Sequence, residues 1–181
     1  FDADRIRSIL VRGLNWLGDA VLALPMLANL RRSFPAARIS LLVRPWVSDL
    51  FQASPFIDDL LVIPRRNQFA WAVTALRRRR FELAILLPNS FRAALISALA
   101  GITHRIGYVT GGRGPLLTVG VCTPGKRSLH QVDAYLGLLR AFRWDAWEQP
   151  TGPTFSPAGE ALVAIARDDE RVSLQAQAAD A

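Results

Sequence analysis

Hydrophobic positions along the chain fall into two alternating patterns. Short, nearly continuous apolar runs are typical of strands buried on both faces, whereas segments with apolar residues every three or four positions are typical of helices. The continuous runs predict strands at 6–12, 38–43, 59–63, 81–87, 105–109 and 117–122. The spaced segments predict helices at 19–34, 46–53, 68–79, 90–100 and 128–142.

Alternating strands and helices of this kind indicate an α/β domain with a doubly wound, mostly parallel, Rossmann-like sheet. One predicted helix contains Pro25 inside its apolar pattern. Because proline lacks an amide proton and clashes with the preceding turn, two arrangements fit. Either the helix kinks there, or its regular part begins near Leu24 with Pro25 in the first turn.

Such sheets bind ligands at the carboxyl ends of their strands, so the loops of interest are 13–19, 64–68 and 88–92. The first loop has the position of a dinucleotide-binding turn. It contains only Gly13 and Gly18, without the G-x-G-x-x-G pattern or a Walker lysine. The sequence therefore gives little support to a bound dinucleotide.

The basic net charge of the chain indicates what kind of partner it could bind. The 181 residues include 22 basic and 15 acidic side chains, a net charge of +7, and Lys126 is the only lysine. Arginine binds phosphate and carboxylate through two parallel hydrogen bonds, which favours an anionic partner; the alternative is a solvated, arginine-rich surface. Cys122 is the only cysteine and the chain has two histidines, so neither a disulfide framework nor a metal site is expected.

The chain shows no apolar stretch of the ~20 residues that a membrane-spanning helix needs, and its N-terminus has no signal-peptide pattern. We therefore expect a cytoplasmic location. After Trp147 the composition becomes rich in proline. This shift predicts one domain at 1–148, followed by a linker and tail at 149–181.

Asp19 stands at the predicted start of the helix that follows the first strand. Aspartate is a common helix cap, which is one interpretation of this position. The other is a general base at the edge of the sheet where a ligand binds.

The loop at 88–92 carries polar groups that suit an anionic ligand. Ser90 or Asn89 can cap the following helix, but capping does not explain Arg92 equally well. Arg65 and Arg66 follow another strand in the same manner, so the three arginines are candidates for an anion-binding rim, with solvated surface charge as the alternative.

One histidine and one aspartate on the last predicted helix are also candidate site residues. His130 and Asp133 are three residues apart and could form a pair. A satisfied structural histidine and a ligand contact are both open interpretations of His130.

Three sequence blocks resemble a known family. They are I-L-V-R-G-L-N-W-L-G-D-A-V at the first turn, L-P-N-S-F-R-A-A-L with A-G-I-T-H-R-I-G-Y further on, and H-Q-V-D-A-Y-L-G-L-L. Together they are similar to the N-terminal part of bacterial ADP-heptose:lipopolysaccharide heptosyltransferases, glycosyltransferase family 9, and most of all to its heptosyltransferase II branch. The resemblance runs from about residue 5 to residue 139.

The resemblance implies one half of a GT-B glycosyltransferase, in which this domain handles the acceptor and a second domain holds ADP-heptose. It implies transfer with inversion to the lipopolysaccharide inner core, without a cofactor or a protein-bound metal, at the cytoplasmic face of the inner membrane. The family's catalytic aspartate matches Asp19, which would act as general base. The expected substrate-binding residues are Asn15, Gly18, Asn89, Ser90, Arg92, Arg65, Arg66 and His130.

The resemblance also has a departure. Family members are about twice as long, and their donor domain opens with a P-G-A-type loop and a phosphate-binding lysine that this sequence lacks. We therefore expect the chain to be poorly active or inactive by itself. The alternative is a truncated, non-catalytic module that binds an anionic glycan or glycolipid.

Overall fold

The structure, a computed structural model, describes residues 5–122 and 130–139 of the chain. Six strands form one sheet: β1 (Ser8–Arg12), β2 (Arg38–Val43), β3 (Asp59–Val62), β4 (Leu83–Leu86), β5 (His104–Tyr108) and β6 (Val119–Val121). The helices are α1 (Leu17–Leu22), α2 (Leu24–Ser33), α3 (Pro45–Ser48), α4 (Gln68–Arg79), α5 (Phe91–Leu99) and α6 (Gln131–Leu139). Short 3₁₀ turns lie at Asp49–Phe51 and Gly114–Leu116.

All neighbouring strands are parallel, in the order β3-β2-β1-β4-β5-β6. β1 therefore lies between β2 and β4, and the direction of winding reverses there. This confirms the doubly wound α/β fold predicted from the sequence. A reversal of this kind opens a crevice at the carboxyl ends of the two central strands.

Alternate residues of each strand enter separate cores on the two faces of the sheet. Ile9 and Val11 of β1 pack with α1, α2 and α6, whereas Leu10 packs on the opposite face with Leu76 of α4 and Ala94 of α5. The four residues of β4 are all buried. Burial on both faces explains why the strands appear in the sequence as continuous apolar runs.

The segment around Pro25 follows the second arrangement expected from the sequence. Instead of one helix over 19–34, α1 ends at Leu22 and α2 begins at Leu24, with Pro25 in its first turn. The amide of Ala23 still donates to the carbonyl of Asp19, at 3.1 Å. The break between α1 and α2 thus falls where the missing amide proton of proline costs no hydrogen bond.

The predicted linker and tail at 149–181 lie outside the described residues, as do parts of the helix predicted at 128–142. In the part of the chain that the structure describes, no helix has the length and hydropathy to cross a membrane.

Gly13, directly after β1, has no room for a side chain. A Cβ atom there would lie 2.8 Å from Cγ1 of the buried Val43 and 3.2 Å from the carbonyl oxygen of Leu42. We expect Gly13→Ala to lower the free energy of unfolding by about 1–3 kcal/mol, because neither neighbour can move freely. Urea denaturation measures this change.

Gly18 in α1 is the matched control, since a Cβ there would meet nothing within 4 Å. We expect Gly18→Ala to leave the free energy of unfolding unchanged or to raise it by about 0.5–1 kcal/mol. Equal destabilisation by both substitutions would contradict the packing argument.

Candidate functional site

A cavity of about 230 Å³ lies at the carboxyl edge of the sheet, on the face covered by α4 and α5. Its floor is apolar and is formed by Leu42, Ile63, Ala72, Ala93 and Ile96. Its other lining residues are polar, and three of the six are arginines: Arg12, Asn15, Arg44, Gln68, Ser90 and Arg92.

Arg12 is the last residue of β1, and the alternation of the strand directs it to the same face as Leu10. Its guanidinium donates hydrogen bonds to the carbonyl oxygens of Gly13 (2.6 Å) and Leu42 (3.1 Å). Burial, together with the positive charges of Arg44 and Arg92, lowers the pKa of Arg12 to about 10. It remains a cation at neutral pH.

Arg44 follows β2 directly and lies beside an exposed indole. Its guanidinium carbon is 5.7 Å from the ring centre of Trp46, within the range of a cation–π interaction. Trp46 Nε1 in turn donates to the carbonyl oxygen of Asn15 at 2.7 Å, which ties the loop after β2 to the loop after β1. The Nε of Arg44 is buried without a hydrogen-bond partner in the described structure.

Arg92 comes from the first turn of α5, beyond the end of β4. Its guanidinium lies 5.8 Å from the ring centre of Phe69 in α4. Ser90 caps α5, because its side chain accepts a hydrogen bond from the amide of Ala93 at 3.2 Å. The cap thus holds the turn that carries Arg92 at the rim of the cavity.

The carboxylates that form strong contacts lie at the opposite edge of the sheet. Asp59, at the start of β3, accepts two hydrogen bonds from Arg38 at 2.6 and 2.8 Å. Glu82, just before β4, accepts from the amides of Arg7 and Ser8. In the described structure no carboxylate forms an ion pair with the three arginines of the cavity. The cavity at the carboxyl edge is therefore electropositive.

Asp19 is the third residue of α1 and is half-buried. The residue at the cap position is Trp16, so the structure does not support the interpretation of Asp19 as the helix cap. Among the described residues, none donates a hydrogen bond to its carboxylate. Asp19 lies outside the lining of the arginine cavity, on the α1 and α6 side of the sheet.

The charge of Asp19 acts on Tyr135 of α6. Burial raises the pKa of Tyr135 to about 12; a hydrogen bond with Gln131 opposes this shift, and the charge of Asp19 adds to it. Tyr135 is therefore neutral at pH 7.

The other substrate-binding residues predicted from the sequence lie in different parts of the structure. Asn15 lines the cavity, whereas Gly18 is exposed on α1, and Arg65 and Arg66 are exposed in the loop before α4, outside the cavity lining. His130 precedes α6, and its Nδ1 accepts from the amide of Val132 at 3.4 Å.

His130 and Asn89 have the following contacts in the structure. No ion pair joins His130 to Asp133 in the described part of the chain. The Oδ1 atom of Asn89 accepts from the buried Arg113 at 2.9 Å, and so it is engaged inside the protein.

Sequence reasoning missed Arg12, Arg44, Arg113 and Tyr135. Arg12 and Arg44 had a usable signal, because one ends a predicted strand and the other immediately follows one. Arg113 and Tyr135 had none, since their roles depend on segments that are distant in the sequence.

Chemically, the cavity suits a small anionic group. Three guanidinium groups without a carboxylate partner among the described residues favour phosphate or carboxylate, and the neighbouring Trp46 offers an apolar surface. Residues 5–122 and 130–139 hold no cluster of three or more histidine, cysteine, aspartate or glutamate side chains suited to a metal ion.

Comparisons with solved structures agree with this fold. The chain superimposes on a structure of Escherichia coli ADP-heptose lps heptosyltransferase II with a TM-score of 0.65 and 28% identity, over 72% of this chain and 39% of the other. A glycosyl transferase family 9 structure from Veillonella parvula gives a TM-score of 0.67 at 22% identity, over 78% and 42%, and this match shows the fold alone.

Comparisons of sequence point the same way. Lipopolysaccharide heptosyltransferase 2 of Escherichia coli is 30% identical over 109 residues, which are 55% of this chain and 30% of that protein. Lipooligosaccharide heptosyltransferase 2 of Haemophilus ducreyi is 30% identical over 105 residues, with the same coverage of both chains. The match thus spans less than a third of the length of these curated relatives. The sequence profile of Glycosyltransferase family 9 (heptosyltransferase) matches residues 71–176, more than half of the chain, and the chain therefore belongs to that family.

Proposed function

We propose that this chain is the acceptor-side half of a glycosyltransferase that transfers heptose from ADP-heptose to the inner core of lipopolysaccharide. Membership of the heptosyltransferase family supports the type of reaction. The observation that carries the acceptor assignment is the cavity with Arg12, Arg44 and Arg92, which have no carboxylate partner among the described residues. A phosphorylated acceptor glycan supplies the negative charge that this cavity lacks.

In the proposed reaction, Asp19 is the general base. Its carboxylate takes the proton from an acceptor heptose hydroxyl while that oxygen attacks the anomeric carbon of the donor. The new glycosidic bond forms as the bond between the anomeric carbon and the ADP oxygen breaks, with inversion, and ADP leaves. Among residues 5–122 and 130–139, no side chain or amide donates a hydrogen bond to the Asp19 carboxylate, which leaves it available for this step.

The donor is bound in this proposal by a second domain of the GT-B fold, across the cleft from the carboxyl edge described above. The acceptor is anchored in a lipid, so the same edge would meet the cytoplasmic face of the inner membrane as a peripheral protein. The exposed side chains of Trp16 and Trp46 suit that setting, because aromatic rings with a polar atom favour the membrane interface.

The anion-binding role of the cavity is tested with inorganic phosphate and the chain itself. We expect phosphate to raise the melting temperature relative to chloride at equal ionic strength. At ten times the Kd, the gain in stability is about 1.4 kcal/mol, or roughly 3–6 °C for a chain of this size.

Arg92→Gln is expected to abolish most of this increase. Without phosphate the variant should be no less stable than the original chain, because the substitution removes a positive charge that acts on Arg12. Arg65→Gln is the matched control, an exposed arginine outside the cavity lining, and should retain the full increase. An equal loss in both variants would show that general surface charge binds phosphate.

The catalytic role of Asp19 is tested in a protein that contains this chain together with a donor-binding half. Asp19→Asn is expected to lower the rate of heptose transfer by about 10²–10⁴-fold, the usual effect of losing a general base. Radiolabelled heptose incorporated into the acceptor glycolipid measures the rate.

Asp133→Asn removes the same charge from an exposed position on α6 and should leave the rate unchanged. Binding of the acceptor glycolipid should persist in Asp19→Asn. Unaltered transfer in that variant would exclude the proposed base and would favour a non-catalytic module that binds an anionic glycan.

A further inference from the structure

Arg113 is the largest side chain that is fully buried in the described structure, with 0% exposure. It lies in the loop between β5 and β6, in the sequence T-G-G-R-G. The two preceding glycines, Gly111 (φ +54°) and Gly112 (φ +71°), have left-handed backbone that folds the loop back toward the end of β4. Space for the guanidinium exists because Gly107 of β5 has no side chain: a Cβ there would lie 3.2 Å from an Arg113 nitrogen.

Each of the three guanidinium nitrogens of Arg113 donates a hydrogen bond to a neighbouring oxygen of the protein. Its Nε donates to the carbonyl oxygen of Tyr108 at 2.8 Å, one terminal nitrogen donates to the carbonyl oxygen of Pro88, and the other donates to Asn89 Oδ1 at 2.9 Å. In the described part of the chain, no carboxylate pairs with it. Burying an arginine without a counter-ion is costly, so its planar fork has a specific geometric task.

That task involves the loop at 88–92. Pro88 and Asn89 immediately precede Ser90, which caps α5, and the first turn of α5 carries Arg92 at the rim of the cavity. The contacts of Arg113 therefore fix the backbone on which both cavity-lining residues stand. We propose that Arg113 is a positioning residue, which holds the loop at 88–92 so that Ser90 and Arg92 face the anionic ligand of the cavity.

The binding part of this inference rests on the proposed function, whereas the ordering of the loop does not, so the experiment has two readouts. The first is hydrogen exchange of the amides in 89–93, measured on the whole chain by mass spectrometry or NMR. The second is the Kd of inorganic phosphate, measured by calorimetric titration at a temperature where every variant is folded.

The informative variants are Arg113→Lys, which keeps the charge and loses the fork, and Asn89→Ala, which removes one acceptor at an exposed position. Each is expected to speed exchange in 89–93 and to raise the phosphate Kd about tenfold, as for the loss of one charge-assisted hydrogen bond. The double variant should be little worse than Arg113→Lys alone, because both substitutions remove the same contact.

Arg105→Lys is the matched control. Arg105 is on β5 and, like Arg113, donates to backbone carbonyl oxygens, those of Leu116 (2.6 Å) and Ile102, but it does so at the amino end of the strand. We expect it to lower the melting temperature without altering phosphate affinity or exchange in 89–93.

The outcomes are distinct. Unchanged exchange and affinity in Arg113→Lys would overturn the role of Arg113 while leaving the arginine cavity intact. Faster exchange with unchanged affinity would reduce Arg113 to a structural residue and overturn the proposal. If the original chain does not bind phosphate, the proposed anion site fails, and the link from Arg113 to ligand binding fails with it.

Discussion

The parallel pairing of β1 with β2 on one side and β4 on the other is the constraint on which the rest of the structure depends. Because the winding reverses between these strands, the helices that follow β1 and β4 cover opposite faces of the sheet. The loops leaving the two strands therefore diverge, and a crevice opens at their carboxyl ends. Residues that end or follow three different strands, Arg12, Arg44 and Arg92, converge on one cavity for this reason.

Three arginines around a cavity of about 230 Å³ repel one another, and the fold keeps them there with short-range contacts. Carbonyl oxygens of Gly13 and Leu42 hold Arg12, while aromatic rings lie beside Arg44 and Arg92. These contacts fix positions without neutralising charge. Binding of an anion to such a site is strongly favourable, because the ligand removes the repulsion between the arginines and also forms hydrogen bonds with them.

Arginine has a second use at the same edge of the sheet. Arg113 is buried and turns its donors inward to Tyr108, Pro88 and Asn89, so it adds no charge to the solvent-facing cavity wall. It instead joins the loop after β5 to the loop after β4. The electropositive edge and the ordering of its loops thus come from different arginines, and substitutions can separate the two effects.

The sequence by itself determined the class of fold and nearly every element. Short, continuous runs of branched apolar residues are typical of strands covered on both faces, and the elements predicted at 38–43 and 68–79 have the same bounds in the structure. It also predicted Asp19, Asn15 and Arg92 near the carboxyl edge of the sheet, because the segments that follow parallel strands all begin on one side.

Only the tertiary structure decided which of these side chains meet. Periodicity along one strand does not show which strands are neighbours, so the convergence of Arg12 with Arg44 and Arg92 was not visible in the sequence. For the same reason Arg65 and Arg66, which looked equivalent to Arg92, lie outside the cavity lining. The burial of Arg113 depends on Gly107 and on the carbonyl of Pro88, which is 25 residues away. Contacts between residues so far apart in the sequence depend on the packing of the whole sheet, and the local pattern of residues does not predict them.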